Sequence, residues 1–234
     1  MKFARVVAFG AHAFDAEVTT GGLLAKLSRE GSAVTIVHMT LGERGHRQTK
    51  KTTAYAGQKK TEAERAAALL GATVRVLKYE DTALPNDDET KLSICDLIRE
   101  LRPDLVITHW QGSWHKDHRN AHEIVMDALF YGALPGVQRK MPAWAVSQVL
   151  FPENWEDPIG FTPQLYEDIS DSYGQWIEAI DAYALSREGL AAFPYRDFYT
   201  SLVRLRGCQA GVKYAQAFMI ADPLRMRFYN QFLS

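Results

Sequence analysis

Two short runs of this chain carry side chains suited to holding a metal ion. Ala11-His12-Ala13-Phe14-Asp15-Ala16-Glu17 sets an imidazole and a carboxylate three residues apart. His115-Lys116-Asp117-His118 sets two imidazoles around another carboxylate. Two imidazoles and one carboxylate converging on one point give a three-ligand zinc site with a position left open for water. Zinc held in that way activates water for hydrolysis. Each residue also has a plain structural role. His12 could be a strand-end histidine satisfied by local hydrogen bonds. Asp15 could be a first-turn carboxylate favoured by the helix dipole, and His118 a residue of a helix N-terminus. A shared site is favoured by where the two runs fall in the fold.

Val6 to Gly10 is a short apolar run ending in glycine, which predicts a buried strand. Glu17 to Glu30 reads as a helix closed by Gly31. Ala33 to Leu41 is a second strand, and 42–57 a polar, glycine-punctuated loop long enough to be functional. Ala63, Ala66, Ala67 and Leu70 fall at helical spacing before Gly71. Thr73 to Tyr79 is a third strand. Ile94, Leu97, Ile98 and Leu101 mark a helix that Pro103 stops. Asp104 to His109 is the fourth strand, a helix follows over Ala121, Ile124, Val125 and Ala128, and Trp144 to Phe151 is the fifth strand.

Alternating strands and helices place the chain in the α/β class, as a Rossmann-like parallel sheet with helices on both faces. In the doubly wound order 3-2-1-4, strands 1 and 4 are neighbours at the topological switch point, where ligands bind outside the carboxyl ends. The first run follows strand 1 and the second follows strand 4. The fold therefore brings the two runs together. Beyond Phe151 the texture changes, with Pro152, Pro158, Gly160 and Pro163 breaking the chain. A strand near Gln164 to Ile169 and a helix carrying Tyr173, Trp176, Ile177 and Ile180 follow. The reading is one domain over 1–234, with a core at 1–151 and an elaboration at 152–234 that packs on it. This half forms one pocket wall, and its aromatic content, richest from Phe193 to Ser234, leaves a homo-oligomer open.

Composition excludes several classes. The 27 basic and 28 acidic residues nearly cancel, so no global pull toward nucleic acid or an anionic membrane follows. The one basic cluster, Arg44 to Lys60 with Arg47, Lys50, Lys51 and Lys59, reads as a solvated loop or as a contact for an anionic substrate. No run reaches the length of a membrane span, and the N-terminal apolar run is too short for a signal peptide. The two cysteines, Cys95 and Cys208, form no metal-type pair and suit a reducing cytoplasm. Gly10 stands without a Gly-x-Gly-x-x-Gly, which weakens a dinucleotide-binding reading.

Of the other histidines, His38 reads as a core residue, His46 falls in the long loop, and His122 lies one turn after His118. His109 ends strand 4 and is a candidate to support a ligating imidazole. Trp110 and Trp114 flank the second run. Indoles beside a polar site suit stacking on a sugar face, with Trp114 the candidate substrate-binding residue.

The first run resembles the Ala-His-Pro-Asp-Asp-Ala-Glu signature of the LmbE-like, or PIG-L, zinc-dependent N-acetylglucosamine deacetylases. His115-Lys116-Asp117-His118 is similar to that family's His-Pro-Asp-His motif. Thr40-Leu41-Gly42-Glu43-Arg44-Gly45, Leu69-Leu70-Gly71 with Glu62, and Gly211-Val212-Lys213-Tyr214-Ala215-Gln216-Ala217-Phe218 resemble further family segments in the same order. The resemblance implies zinc held by His12, Asp15 and His118. It also implies removal of an acyl group, expected to be acetyl, from an amino-sugar-like small molecule. His115 would steady the oxyanion or protonate the leaving amine, and Asp117 would orient a histidine. The family's general base corresponds to Phe14, which can accept no proton. Glu43, Glu17 and Asp117 are candidate substitutes, with Glu43 also placed to meet substrate. The alternative is a metal- or ligand-binding protein that lost its chemistry at Phe14.

Overall fold

The computed structural model describes residues 3–46, 52–187 and 191–221. Arg47, Lys50 and Lys51 of the basic cluster, and the aromatic-rich end after Ala221, lie outside them. The elements run β1 (Arg5–Gly10), α1 (Asp15–Arg29), β2 (Ala33–His38), α2 (Thr52–Leu69), β3 (Thr73–Val76), α3 (Asp88–Leu101), β4 (Leu105–Ile107), α4 (Lys116–Ala133) and β5 (Gln148–Pro152). Then come β6 (Leu165–Asp168), α5 (Tyr173–Asp181), a short 3-10 turn at Ala184–Ser186, α6 (Tyr195–Ala210) and β7 (Ala215–Ile220).

One sheet has the order β3-β2-β1-β4-β5-β7-β6. The expected α/β class and the neighbouring of strands 1 and 4 both hold, with Ala8 paired to Ile36 on one side and Ile107 on the other. Side chains alternate across a strand, so β1 feeds both layers. Val6 and Ala8 face the core under α1, α2 and α5. Val7 and Phe9 face the core under α3 and α4. A strand apolar on both faces is what a parallel sheet between helices requires.

Several boundaries differ from the sequence reading. β2 ends at His38, and Met39 and Thr40 continue alongside the first loop by donating to the Gly10 and Ala11 carbonyls. α1 begins at Asp15 and α2 at Thr52, inside the stretch expected to be loop. β3, β4 and β5 are shorter than expected. The largest omission is α6 with β7. β7 inserts antiparallel between β5 and β6, so the sheet is mixed at this edge. Among the described residues no helix is long and apolar enough to cross a membrane.

The packing of α1 on α5 positions the first loop. A Cβ on Gly21 would stand 2.8 Å from Trp176 Cδ1 and 3.4 Å from Leu70 Cδ1. Trp176 is fully buried and its indole N–H donates to the Glu17 carbonyl. Gly21→Ala gains up to about 1 kcal/mol of helix propensity, but overpacking costs about 1–3 kcal/mol. The clash wins. Thermal unfolding should show the midpoint falling by roughly 2–4 °C per kcal/mol lost.

Candidate metal and catalytic centre

β1 delivers the chain at Gly10, where a Cβ would meet the His12 carbonyl at 2.9 Å and Asp15 Cβ at 3.2 Å. Only glycine lets the loop turn back this sharply. Phe14 then adopts φ 100° and ψ −30°, a conformation uncommon outside glycine, and caps α1 without a side-chain bond. The His12 backbone N–H donates to Asp15 Oδ2 at 2.8 Å, and His12 Nδ1 lies 3.2 Å from the same oxygen.

That oxygen is the focus of the site. His109 Nε2 lies 3.2 Å from it and His118 Nε2 3.4 Å. Asp157, buried behind both rings, places Oδ1 3.1 Å from His118 Nδ1 and Oδ2 3.3 Å from His109 Nδ1. Glu156 Oε2 stands 3.3 Å from His118 Nε2. On the other side, His12 Nε2 faces Asp81 Oδ1 at 3.2 Å and Asp117 Oδ2 at 3.4 Å, within ion-pair reach but out of line for a hydrogen bond. His115 caps α4, its Nδ1 accepting from the Asp117 N–H at 3.2 Å.

Three sets of potential ligand atoms lie within 4.8 Å of one another: His12, His115 and His118; Asp15, His109 and His118; and His12, Asp81 and Asp117. His12, Asp15 and His118 are thus brought together through Asp15, spread over the first two sets rather than forming one set of their own. The donors fit a divalent ion. His118 Nε2 is buried with no hydrogen-bond partner among the described residues, although two carboxylates stand beside it. Two ligands on a tetrahedral zinc with bonds of about 2.0 Å are about 3.3 Å apart. The spacings around His118 Nε2 have that size.

The electrostatics agree with a site built for positive charge. Burial alone would lower the His118 pKa, but Asp15 and Asp157 overcome it and raise the pKa to about 10. His12 is likewise raised well above the ordinary imidazole value, burial being outweighed by Asp15, Asp117 and Asp81. Burial opposes the Asp15 charge, yet His118 and His12 hold it well below the usual carboxylate range. His115 goes the other way, pushed down to about 4 by burial and by His118 and His12. It is a neutral imidazole at physiological pH. Glu156 is raised, mainly by burial, with Asp15 adding to it against the pull of His118.

A cavity of about 290 Å³ opens onto this centre, bordered by His12, Asp15 and His115 at its floor. Phe14 is 2 % exposed and fills the floor beside Asp15, its ring 5.0 Å from Tyr183 and 5.5 Å from Tyr195. Other candidates fall elsewhere. The Glu43 carboxylate does not border the cavity; it accepts the Asp81 backbone N–H at 3.0 Å and so holds the Asp81 turn. Trp114 is 50 % exposed and outside the cavity, its ring packed edge-on against Trp155, which does border it. Trp110 donates to the Ile159 carbonyl. Glu17 is fully buried between His38 Nε2 at 3.0 Å and the Tyr183 hydroxyl at 2.6 Å, so it faces no water and ties α1 to β2 and to the segment after α5.

Asp81, Glu156 and Asp157 were missed by sequence reasoning; Lys59 was read only within the basic cluster, and it lies buried on α2 rather than in a solvated loop. Asn154-Trp155-Glu156-Asp157 follows β5, the strand beside β4, so two acids at a carboxyl end next to the switch point were a readable signal. Asp81 follows β3 and carried no comparable signal, because β3 is the far edge of the sheet.

The switch point of the parallel part of the sheet gathers imidazoles and carboxylates beside a small cavity, a donor set that could hold a metal ion. The family model described as PIG-L, GlcNAc-PI de-N-acetylase, matches residues 7–129, and the chain belongs to this family. It is 30% identical over 210 residues to the 1D-myo-inositol 2-acetamido-2-deoxy-alpha-D-glucopyranoside deacetylase of Thermobifida fusca, covering 73% of each chain. It is 26% identical over 230 residues to the 4-oxalmesaconate hydratase of Pseudomonas putida, covering 93% of this chain and 87% of that one. The fold matches the crystal structure of the 4-carboxy-2-hydroxymuconate hydratase of Pseudomonas putida KT2440 with a TM-score of 0.86 at 22% identity, over 95% of this chain and 97% of that one. The relatives of this chain thus include an amino-sugar deacetylase and a hydratase.

Proposed function

We propose that this chain is a zinc-dependent amide hydrolase that removes an acyl group, acetyl in the simplest case, from a small amino-sugar-like molecule. The observation that carries the reading is the convergence of His12, Asp15 and His118 beside the cavity, with His118 Nε2 buried and lacking a hydrogen bond among the described residues. These three residues would hold the ion. When bound it would polarise the acyl oxygen and acidify water.

The chain's own groups supply the rest. Asp157 takes the Nδ1 hydrogen of His118, which leaves the Nε2 lone pair facing the centre. His115 accepts a backbone N–H at Nδ1, so its hydrogen sits on Nε2, from which it donates to the oxygen that gains charge. Phe14 can move no proton. Glu156, raised by burial and 3.3 Å from His118 Nε2, takes the water proton and returns it to the leaving amine. Asp117 is held by the Thr82 N–H at 2.7 Å and faces His12, which suits it to orient that ring rather than to act as base.

The test is metal content of the purified protein followed by amine release from a panel of N-acetylglucosamine conjugates. Zinc near one per chain with amine release is expected. A zinc-filled protein that releases no amine from any N-acyl substrate would overturn the reading. A second reading, hydration of an unsaturated acid, is favoured by Phe14 in the base position and by the hydratase relative that spans almost the whole chain. Loss of ultraviolet absorbance from a conjugated unsaturated diacid, without amine release, would select it.

A further inference from the structure

Lys59 lies on α2 in the cavity wall, 2 % exposed. An ammonium has three hydrogens to donate. Among the described residues one is used, in a 2.6 Å bond from Nζ to the Ala13 carbonyl. No carboxylate stands within ion-pair distance of Nζ among the described residues, whereas seventeen other pairs meet that criterion. Instead the rings of Tyr183 and Phe14 lie 5.2 and 5.8 Å from Nζ. Burying a charge without a paired counter-charge is costly, and cation–π contacts return only about 0.5–2 kcal/mol. Lys59 is also close to the centre. The Cβ position of Gly42 is 3.2 Å from His12 Cβ and 3.7 Å from Lys59 Cε.

We propose that Lys59 forms an anion subsite and that the natural substrate carries a carboxylate seated against Nζ while its reacting group lies over His12, Asp15 and His118. The inference takes from the proposed function only that this cavity receives the substrate. Tyr55 and Tyr195 border the same cavity, and both phenols are raised in pKa by burial, so they remain hydrogen-bond donors for such a group. Burial lowers the pKa of the ammonium, Asp15, Glu62, Glu17 and Asp81 favour its charge from beyond ion-pair distance, and a neutral sugar would add no close counter-charge. One ammonium and two phenols border the same cavity, a donor set that suits a carboxylate.

The experiment is calorimetric titration of the zinc-loaded protein with acetate, malonate, succinate and glutarate. Acetate can reach the metal without Lys59. At least one of the dicarboxylates should bind tenfold or more tightly than acetate. Lys59→Met should abolish that advantage and leave acetate unchanged, and Lys59→Arg should keep most of it. Zinc content and thermal midpoint of each variant show whether the fold survives, and the arginine variant carries the test if the methionine one does not fold. The inference is overturned if no dicarboxylate exceeds acetate, if Lys59→Met retains the advantage, or if acetate and dicarboxylate weaken equally. These readings need no turnover, so they stand apart from the success or failure of the amide assay.

Discussion

Asp15→Asn should strip the centre of its metal and lower turnover by about 10³-fold or more. Oδ2 of Asp15 lies within 3.4 Å of His12, His109 and His118, so one neutralised oxygen removes the charge that all three rings face. The asparagine keeps the size and an acceptor for the His12 N–H, which separates loss of charge from loss of shape. Lewis-acid stabilisation is worth several kcal/mol, and each 1.36 kcal/mol is tenfold in rate. The linkage to pH has a definite sign. In the metal-free protein His118 titrates near 10, raised by Asp15 and Asp157 against burial. The stability this pairing gives is therefore fully present below the ordinary imidazole value and is lost as pH rises through about 10. At neutral pH the ring is protonated, so zinc must displace a proton to bind. Titration of zinc into the metal-free wild type, in buffers of different ionisation enthalpy, should report about one proton or more released per ion. Asp15→Asn should bind too weakly to give a resolved isotherm under the same conditions. A variant that holds zinc as tightly as wild type would remove Asp15 from the ligand set.

The expectation of a site rested on two strand exits, and the fold brought those exits side by side. Gly10 closes β1 and His109 follows β4, two adjacent parallel strands, and this is why His12 and His118 could be paired from sequence. The partners beyond them were harder to read. Asp157 and Glu156 needed β5 to be placed next to β4 and needed the acids after it to be counted as site residues rather than as part of a proline-broken loop. Lys59 was visible only as one of several basic residues; its burial against Ala13 depends on how α2 packs on the first loop. β7 was hidden because a sequence scan expects parallel strands after helices, while this one returns antiparallel and enters between two earlier strands. Glu43 and Trp114 show the converse. Both are near the site in sequence, but Glu43 turns onto Asp81 and Trp114 onto Trp155. Proximity along the chain decides neither the direction of a side chain nor which groups it meets.

Phe14→Asp is the change that separates the two chemistries. Removing this ring takes away contacts with Tyr183 and Tyr195 in a position that is 2 % exposed. A buried phenylalanine truncated to a small residue costs about 3–5 kcal/mol. Two features reduce the loss. Aspartate accepts a positive φ more readily than phenylalanine does, and the backbone here is at φ 100°. Lys59, whose Nζ lies 5.8 Å from the present ring, gives the new carboxylate a counter-charge. A net cost of about 2 kcal/mol corresponds to a fall of roughly 4–8 °C in the unfolding midpoint. If the wild type hydrolyses amides with Glu156 moving the proton, a second base beside the centre should raise kcat on N-acyl substrates by up to about 10²-fold, within the range a positioned base supplies. It should also make Glu156→Gln far less harmful in the Phe14→Asp background than alone, because the two carboxylates would then serve one step. If the wild type instead hydrates an unsaturated acid, the same carboxylate draws Lys59 into an internal pair, and dicarboxylate affinity and hydration should fall together. Rates on both substrate classes, measured in the four combinations of residues 14 and 156, decide between these outcomes because a mere loss of stability would lower every rate in parallel.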